Sequence, residues 1–420
     1  MTTTNTQGLW TYGFDLKVDS RSVFSEACGT PISGGSVGCR NDYTLGVVFD
    51  HTVTVQGRQS QPQVALLHDA IGIAVGGSSA CAIRDGGSVV CWGDNTYGQL
   101  GNGSTVASHV PVAVTGVTNA TSASCSQTSL VTNAVQTFQC CVVLANGAVN
   151  CWGGNTYGQL GNDSTKNSSQ PSAVTGIENA LGVSAGSFHT CAVLKDGHVA
   201  CWGDNTYGEL GNGSTTSSLI PVMVSGIQDA TMVSAGNSAD QAYTCAISSG
   251  GAVSCWGGGG STVPVAAAGV MGVTSIATEN AHICLSLSDG TVHCSGANNA
   301  GQLGNGSTTN SSTAVQAIGI DNASSVVNYY GGSCALLRDG TAKCWGNNAF
   351  GALGNGTDIA SLVPVSVRGL KGVKALSSGF PVCALLDGGE VDCWGDNFSG
   401  DLGNDSTSIF LAPERVHAPE

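Results

Sequence analysis

Eighteen cysteines stand in a chain of 420 residues, and most fall into pairs ten positions apart. These pairs are Cys81/Cys91, Cys141/Cys151, Cys191/Cys201, Cys245/Cys255, Cys284/Cys294, Cys334/Cys344 and Cys383/Cys393. Cysteines in such numbers bind metal, pack as small apolar residues or cross-link. A zinc site needs clustered C-x-x-C or Cys/His ligands, and none occurs. Reduced, buried thiols remain an alternative, but the regular pairing favours disulfides and with them an oxidising compartment.

The local pattern explains how each pair meets. In Cys191–Cys201 the segment C-A-V-L enters K-D-G and returns through H-V-A-C, a hairpin with a three-residue loop. Its third loop residue is Gly197, where a type I turn followed by a left-handed residue needs glycine. Gly87, Gly147, Gly251, Gly290, Gly340 and Gly389 hold the same place in the other copies. Counting outward from Leu194/His198 makes Cys191/Cys201 a non-hydrogen-bonded pair, where facing side chains come closest. The remaining cysteines pair by position: Cys125 with Cys140 around an insertion, a bridge worth about 3 kcal/mol on the loop-entropy argument, and Cys28 with Cys39 near the N-terminus.

Other chemistry is sparse. The chain has no Walker loop, no H-E-x-x-H and no dinucleotide fingerprint after a strand; no catalytic residue, cofactor site or metal site is assigned. The histidines, among them His189 and His282, are not at metal-ligand spacing. Asp94-Asn95 and Asp204-Asn205 lack the alternation of a calcium loop and read as Asx-turn caps. Gly34–Gly38 fits G-x-S-x-G without the strand-to-helix context of a nucleophile elbow. A formal charge of −15 with only 13 Lys plus Arg speaks against nucleic acid as a partner. The start, Met1–Gln7, has no basic and apolar leader pattern, and no stretch is long enough to span a bilayer. Export then requires a signal already removed or another route, such as assembly into a particle.

The elements that carry these residues repeat about every 50 positions, the signature of an array. From Pro221 one unit reads P-V-M-V, then A-T-M-V-S-A, then the cysteine hairpin, then the tail W-G-x-N-x-x-G-x-L-G-N-G. Four extended segments per unit make a four-stranded antiparallel propeller blade. The Ala/Ser/Val strand is the slimmest and belongs nearest the axis; the proline-bearing strand suits the outer edge. The expected fold is all-β, a seven-bladed propeller over residues 62–407. Residues 1–61 form a β-rich extension with strands within Leu9–Val18 and Tyr43–Val55, and residues 408–420 a closing strand that seals the ring.

The segments Trp92–Gly103, Trp152–Asp163 and Trp202–Gly213, the weaker ones at Trp345–Gly356 and Trp394–Asp405, and the L-x-D-G hairpins resemble the repeats of the regulator of chromosome condensation family. That resemblance covers about Pro62 to Thr407 and implies a seven-bladed propeller. The paired cysteines are similar to those of secreted or surface-associated bacterial members, and the plan is similar to that of the propeller that inhibits β-lactamases. The chain departs from the nuclear member, which acts on a small GTPase and on chromatin: neither paired cysteines nor strong acidity suits that setting.

Insertions before Cys141 and Cys245 fall at one point of the unit and project from one face. Residues just before the hairpins, Phe138, Phe188, His189, Tyr243, His282, Tyr329, Tyr330 and Phe380, with Asp240 in an insertion, would give that face a protein-binding surface. The same side chains would serve equally to plug the blade tops. Tyr97, Tyr157, Tyr207, Phe350 and Phe398 recur in the long W-G-x-N loop and read as structural, on the opposite face or rim. Between units four and five that loop shrinks to Gly257–Pro264, and Ser295 replaces the tryptophan. The function this supports is a non-enzymatic extracellular or surface binding module, with residues 1–61 as anchor or oligomerisation element and a protein partner or self-assembly. A structural or attachment subunit of a virion or extracellular filament is the alternative. An enzyme would need carboxylates converging in the channel or on a face, such as Asp240 with neighbours, and no pairing demands it.

Overall fold

Each cysteine hairpin forms the middle of a four-stranded antiparallel sheet, and seven such sheets follow in order. The computed structural model describes residues 65–127, 138–236, 242–267, 270–279 and 282–419 in full, and of residues 1–64 the backbone of six strands. Blade 3 shows the plan: Ala180–Ala185, His189–Leu194, Val199–Gly203 and Ser218–Met223, from axis to rim. Radial order follows side-chain size. The first strand is Ala/Ser/Val-rich and fits where blades converge; the last carries the proline and faces solvent.

The hairpin geometry is as the spacing requires. Gly197 has φ 82° and donates to the Leu194 carbonyl at 3.0 Å, while Leu194 donates to His198 at 2.9 Å. Cys191 lies opposite Cys201 with a Cα–Cα distance of 4.1 Å, bridged. The same bridge joins Cys81 to Cys91 in blade 1, Cys141 to Cys151 in blade 2 and Cys245 to Cys255 in blade 4. It joins Cys284 to Cys294 in blade 5, Cys334 to Cys344 in blade 6 and Cys383 to Cys393 in blade 7. Cys151, Cys294 and Cys344 are fully buried, whereas Cys255 is half-buried in the blade whose long loop is shortened. Cys125 and Cys140 are joined as well. No cysteine among the described residues is reduced, so the buried-thiol alternative does not hold in this structure. Cys28 and Cys39 lie outside the described residues.

Repeating bonds sew blade to blade. The carbonyl of each hairpin glycine accepts from the first residue of the next innermost strand: Gly87 from Ala120, Gly147 from Ala180, Gly197 from Ala230. Gly389 of blade 7 accepts from Ala70 of blade 1 at 2.9 Å, so the ring closes with the bond that joins its neighbours. Inner-strand serines add a second stitch, Ser124 Oγ receiving Ala185 N and Ser184 Oγ receiving Ala235 N, both at 3.0 Å. The P-V-x-V strand read as opening a unit is the rim strand of the preceding hairpin's blade. The last of these, Phe410–Arg415, completes blade 7, and Val416 accepts from Leu67 N at 3.1 Å.

Antiparallel connectivity also corrects the placement of the long W-G-x-N loops. They emerge at the same end of the blade as the turn between first and second strands, and bonds join the two: Asp94 N to Ser78 O at 2.7 Å, Asp204 N to Phe188 O at 2.9 Å. One face of the disc therefore carries both sets of loops, and the other the tight hairpin turns and blade connections. The N-terminal unit, Met1–Ala65, contains two three-stranded sheets. Thr44–Gly46 is central in one, Phe14–Val18 in the other.

Candidate functional site

The loop face is built from one repeated knot. Asn205, fully buried, receives Leu210 N on Oδ1 at 2.9 Å and donates from Nδ2 to the carbonyls of Ser214 and Thr216, both at 3.0 Å. Asn95, Asn155, Asn298, Asn348 and Asn397 repeat this set. Asp94 caps the loop start, its Oδ1 taking Thr96 N at 3.2 Å and Thr96 Oγ1 at 2.7 Å. These residues are spent on the loop itself, as the capping reading expected.

Each knot is held by the next blade's tryptophan. Trp152 Nε1 donates to Gln99 O at 2.8 Å, Trp202 to Gln159 O at 2.8 Å and Trp256 to Glu209 O at 2.7 Å. Trp92 closes the circle on Asp401 O at 2.8 Å. The indole lies over a glycine: a Cβ on Gly101 would sit 2.8 Å from Trp152 Nε1. The two sequence departures thus have one cause. Blade 4 has no long loop to hold, so in blade 5 the residue after Cys294 is Ser295 and not a tryptophan.

The residues singled out for a binding surface mostly face inward. Phe138, Phe188, His189, His282 and Tyr329 are buried, Tyr243 and Phe380 are half-buried, and Tyr330 is exposed; Asp240 lies outside the described residues. Phe138 packs on Tyr97 and Phe188 on Tyr157, with ring centroids 6.1 and 4.8 Å apart. His189 Nε2 meets Thr244 Oγ1 at 2.9 Å and His282 Nε2 meets Ser333 Oγ at 3.1 Å, each joining two blades. Burial as polar and aromatic plugs is the physical reason these side chains leave the surface.

Tyr330 aside, sequence reasoning missed two aromatics that remain exposed. Phe350 and Phe398 are 40% and 63% exposed and meet edge to face at 5.7 Å. Aligning the knots puts Phe398 at the place of Thr96 and Thr206, one position before Tyr97, Tyr157, Tyr207 and Phe350. That offset was the available signal. A threonine side chain there donates to the capping Asp; Phe398 keeps only the backbone bond, its N donating to Asp396 Oδ1 at 3.2 Å.

Two acids replace the glutamine of the knot. Gln99 donates to Asp94 Oδ2 at 2.8 Å, whereas Glu209 sits beside Asp204. Burial first, and then Asp204, push the Glu209 carboxyl up to about 7. Asp401, buried near Asp396 and Asp94, is likewise held well above the usual carboxylate range by burial and then by Asp396. His189 and His282 are pushed down to about 4, chiefly by burial. The signs are opposite. A raised acid stabilises below its unfolded value and loses that as pH rises from 4.5 through 7. Depressed histidines stabilise above 6.5 and lose that as pH falls through 4. Glu209→Gln is therefore expected to remove the share of Glu209 in the alkaline loss, worth up to about 3 kcal/mol, to keep that of Asp401, and to leave the acid limb unchanged. Thermal melts at about pH 5 and pH 8 check this; equal gains at both would contradict it.

At the axis lies a cavity of about 190 Å³ lined by all seven innermost strands, through Ala74, Ser124, Ser184, Ser234, Thr278, Asn328 and Ser377 among others. No carboxylate lines it among the described residues. Gln127 of blade 2 crosses to blades 6 and 7, donating to the carbonyls of Ser378 and of Asn328, the latter at 3.3 Å.

Blade count, knot and hairpin define the class: a seven-bladed propeller of disulfide-bridged repeats. Residues 86–131, 146–193, 196–239 and 339–379 match the Regulator of chromosome condensation (RCC1) repeat, as do 70–99 and 182–209 in a second description of it. Those stretches thus carry RCC1 repeats, set within a seven-bladed propeller. The chain is 33% identical over 106 residues to the E3 ubiquitin-protein ligase HERC2 of Homo sapiens and of Mus musculus, 25% of this chain and 2% of the relative's length. Human WBSCR16 superposes with a TM-score of 0.66 at 19% identity, covering 78% of this chain and 94% of that one. Prp20p of Saccharomyces cerevisiae, solved with attention to its binding to Gsp1p and histones, gives 0.66 at 17%, covering 84% and 88%. At such identities the likeness shows the fold.

Proposed function

We propose that the chain is a non-enzymatic binding module that presents its loop face to a basic, partly apolar segment of a partner protein in oxidising surroundings. The carrying observation is the sorting of the basic residues: the hairpin face mixes them with acids such as Asp85, Asp196, Asp289 and Asp387, whereas the loop face has almost none. Arg84, Lys195, Arg338, Lys343, Arg368, Lys371, Lys374 and Arg415 stand at the hairpin turns, at the blade connections or on the strand ends beside them, and the long loops hold only Lys166. On their exposed or half-buried surface those loops carry Asp94, Asp163, Asp358, Asp396 and Asp405, while Asp204, Glu209 and Asp401 are buried beneath it. An acidic face with an exposed Phe350–Phe398 pair complements a cationic segment with an apolar anchor. Binding of Gsp1p and histones by Prp20p supports protein recognition as the use of this fold. In the same reading residues 1–61 anchor the disc.

The test is site-specific photo-crosslinking in the organism of origin, with the probe at Phe398 and, as control, at Lys371 on the other face. A protein captured from Phe398 alone is the expected result. Phe398→Thr should then weaken that complex by ~2 kcal/mol, the scale of an interface hot spot, and added salt should slow its association. Equal capture from both faces, or none from Phe398, would overturn the reading.

A further inference from the structure

Blade 2 holds a second bridge, Cys125–Cys140, between its innermost strand and the next. It lies against the hairpin bridge of blade 1: Cys81 Sγ is 3.7 Å from Cys125 Sγ and 3.8 Å from Cys140 Sγ. Two disulfides from different blades are thus in van der Waals contact, and Cys125 also lines the central cavity. It is the only sulfur among the described lining residues. Cys81 and Cys91 are 1% and 0% exposed, against 6% for Cys125, and neither lines the cavity.

Disulfides exchange by thiolate attack on sulfur through a mixed disulfide, and holding the reacting atoms side by side lowers the entropic part of the barrier. The geometry points to a thiol-exchange site opened from the cavity: a small aliphatic thiol is captured at Cys125, and the released Cys140 passes the exchange to Cys81–Cys91. The cavity's volume of about 190 Å³ admits a small thiol and excludes a folded protein.

In the first step the incoming thiolate attacks Cys125 Sγ; its bond to Cys125 forms as Cys125–Cys140 breaks, and the electron pair leaves on Cys140. In the second, the Cys140 thiolate attacks Cys81 Sγ, Cys81–Cys140 forms, and Cys91 leaves as thiolate and takes up the proton the small thiol lost. Two protein disulfides and one thiol become one mixed disulfide, one protein disulfide and one thiol, with no oxidant or reductant consumed. The staple moves from within blade 1 to between blades 1 and 2. This exchange stands apart from the proposed loop-face binding and survives its failure.

The test incubates the native full chain with cysteamine, quenches with acid, alkylates the free thiols and maps the bridges by mass spectrometry without reduction. The expected products are cysteamine on Cys125, a Cys81–Cys140 cross-link and an alkylated Cys91, formed at least about tenfold faster than opening of the isolated Cys191–Cys201 hairpin bridge. Intact Cys125–Cys140 and Cys81–Cys91, or all bridges opening at one rate, would overturn the proposal. A second arm uses Cys125→Ser, which leaves the Cys140 thiol beside Cys81 without added reagent. A mixture of Cys81–Cys91 and Cys81–Cys140 is expected there, and Cys81–Cys91 alone would overturn the relay. Should that variant not fold, the cysteamine arm decides.

Discussion

Trp92→Ala is expected to lower the melting temperature by roughly 10 °C, from a loss of about 3–5 kcal/mol. The indole is fully buried among Leu67, Leu402 and Val416, and its Nε1 is the donor that holds the Asp401 carbonyl across the seam between blades 1 and 7. Truncation leaves both a cavity and an unpaired buried carbonyl. Trp92→Phe keeps most of the apolar contact and should cost about 1–2 kcal/mol, the carbonyl's share. Ser295→Ala, at the one blade with no preceding loop to hold, should change the melt little. Calorimetry on the three variants checks the order; a Trp92→Ala melt like that of Ser295→Ala would contradict the role of the tryptophan as a peg.

Deleting Phe410–Glu420 should have an effect of similar size, a drop of roughly 5–15 °C. The deletion strips the rim strand from blade 7 and exposes the unpaired edge of Val391–Gly395. It removes fully buried Val416 and the bond from Leu67 N. The Arg415 contact with Asp392, Nε to Oδ1 at 2.5 Å, also goes, but that pair is about one-third exposed on the arginine side and contributes at most about 1 kcal/mol. Arg415→Ala therefore separates the two causes. A small shift for Arg415→Ala with a large one for the deletion is the expected pair, and an unchanged melt on deletion would refute closure by this strand.

Local rules made much of the fold legible. The glycine after K-D in Cys191–Cys201 dictates its loop, the loop dictates the register, and the register makes Cys191 face Cys201; no long-range information enters. The same rule carried over to Cys151, Cys255, Cys294 and Cys344, each of which lies opposite the cysteine ten positions earlier. Strand order from axis to rim was legible because side-chain size and proline both vary across the blade. What escaped was set between blades. Whether Phe138 points outward depends on Tyr97 of the preceding blade, and whether a tryptophan follows the hairpin cysteine depends on the loop one blade earlier. The contact between Cys81 and Cys125–Cys140 is of the same kind. Strand counting would have put the long loops beside the insertions, but the tyrosines' regular recurrence suggested separate structural duty. Tyr97 and Tyr157 are structural, packing on Phe138 and Phe188, aromatics whose residue types suit a surface and a plug equally. Phe398 was hidden by likeness to its neighbours in type while differing from them in position.

The oxidised state of the hairpins sets the repeat's covalent frame and is compatible with an oxidising compartment. The direct measurement is alkylation of the protein taken from its native source, denatured without reductant, followed by intact mass and peptide mapping. Hairpin cysteines from Cys81 to Cys393 free of label are predicted, each recovered as a bridged peptide with the cysteine ten positions away. Alkylated hairpin cysteines would contradict it and return the chain to a reducing compartment.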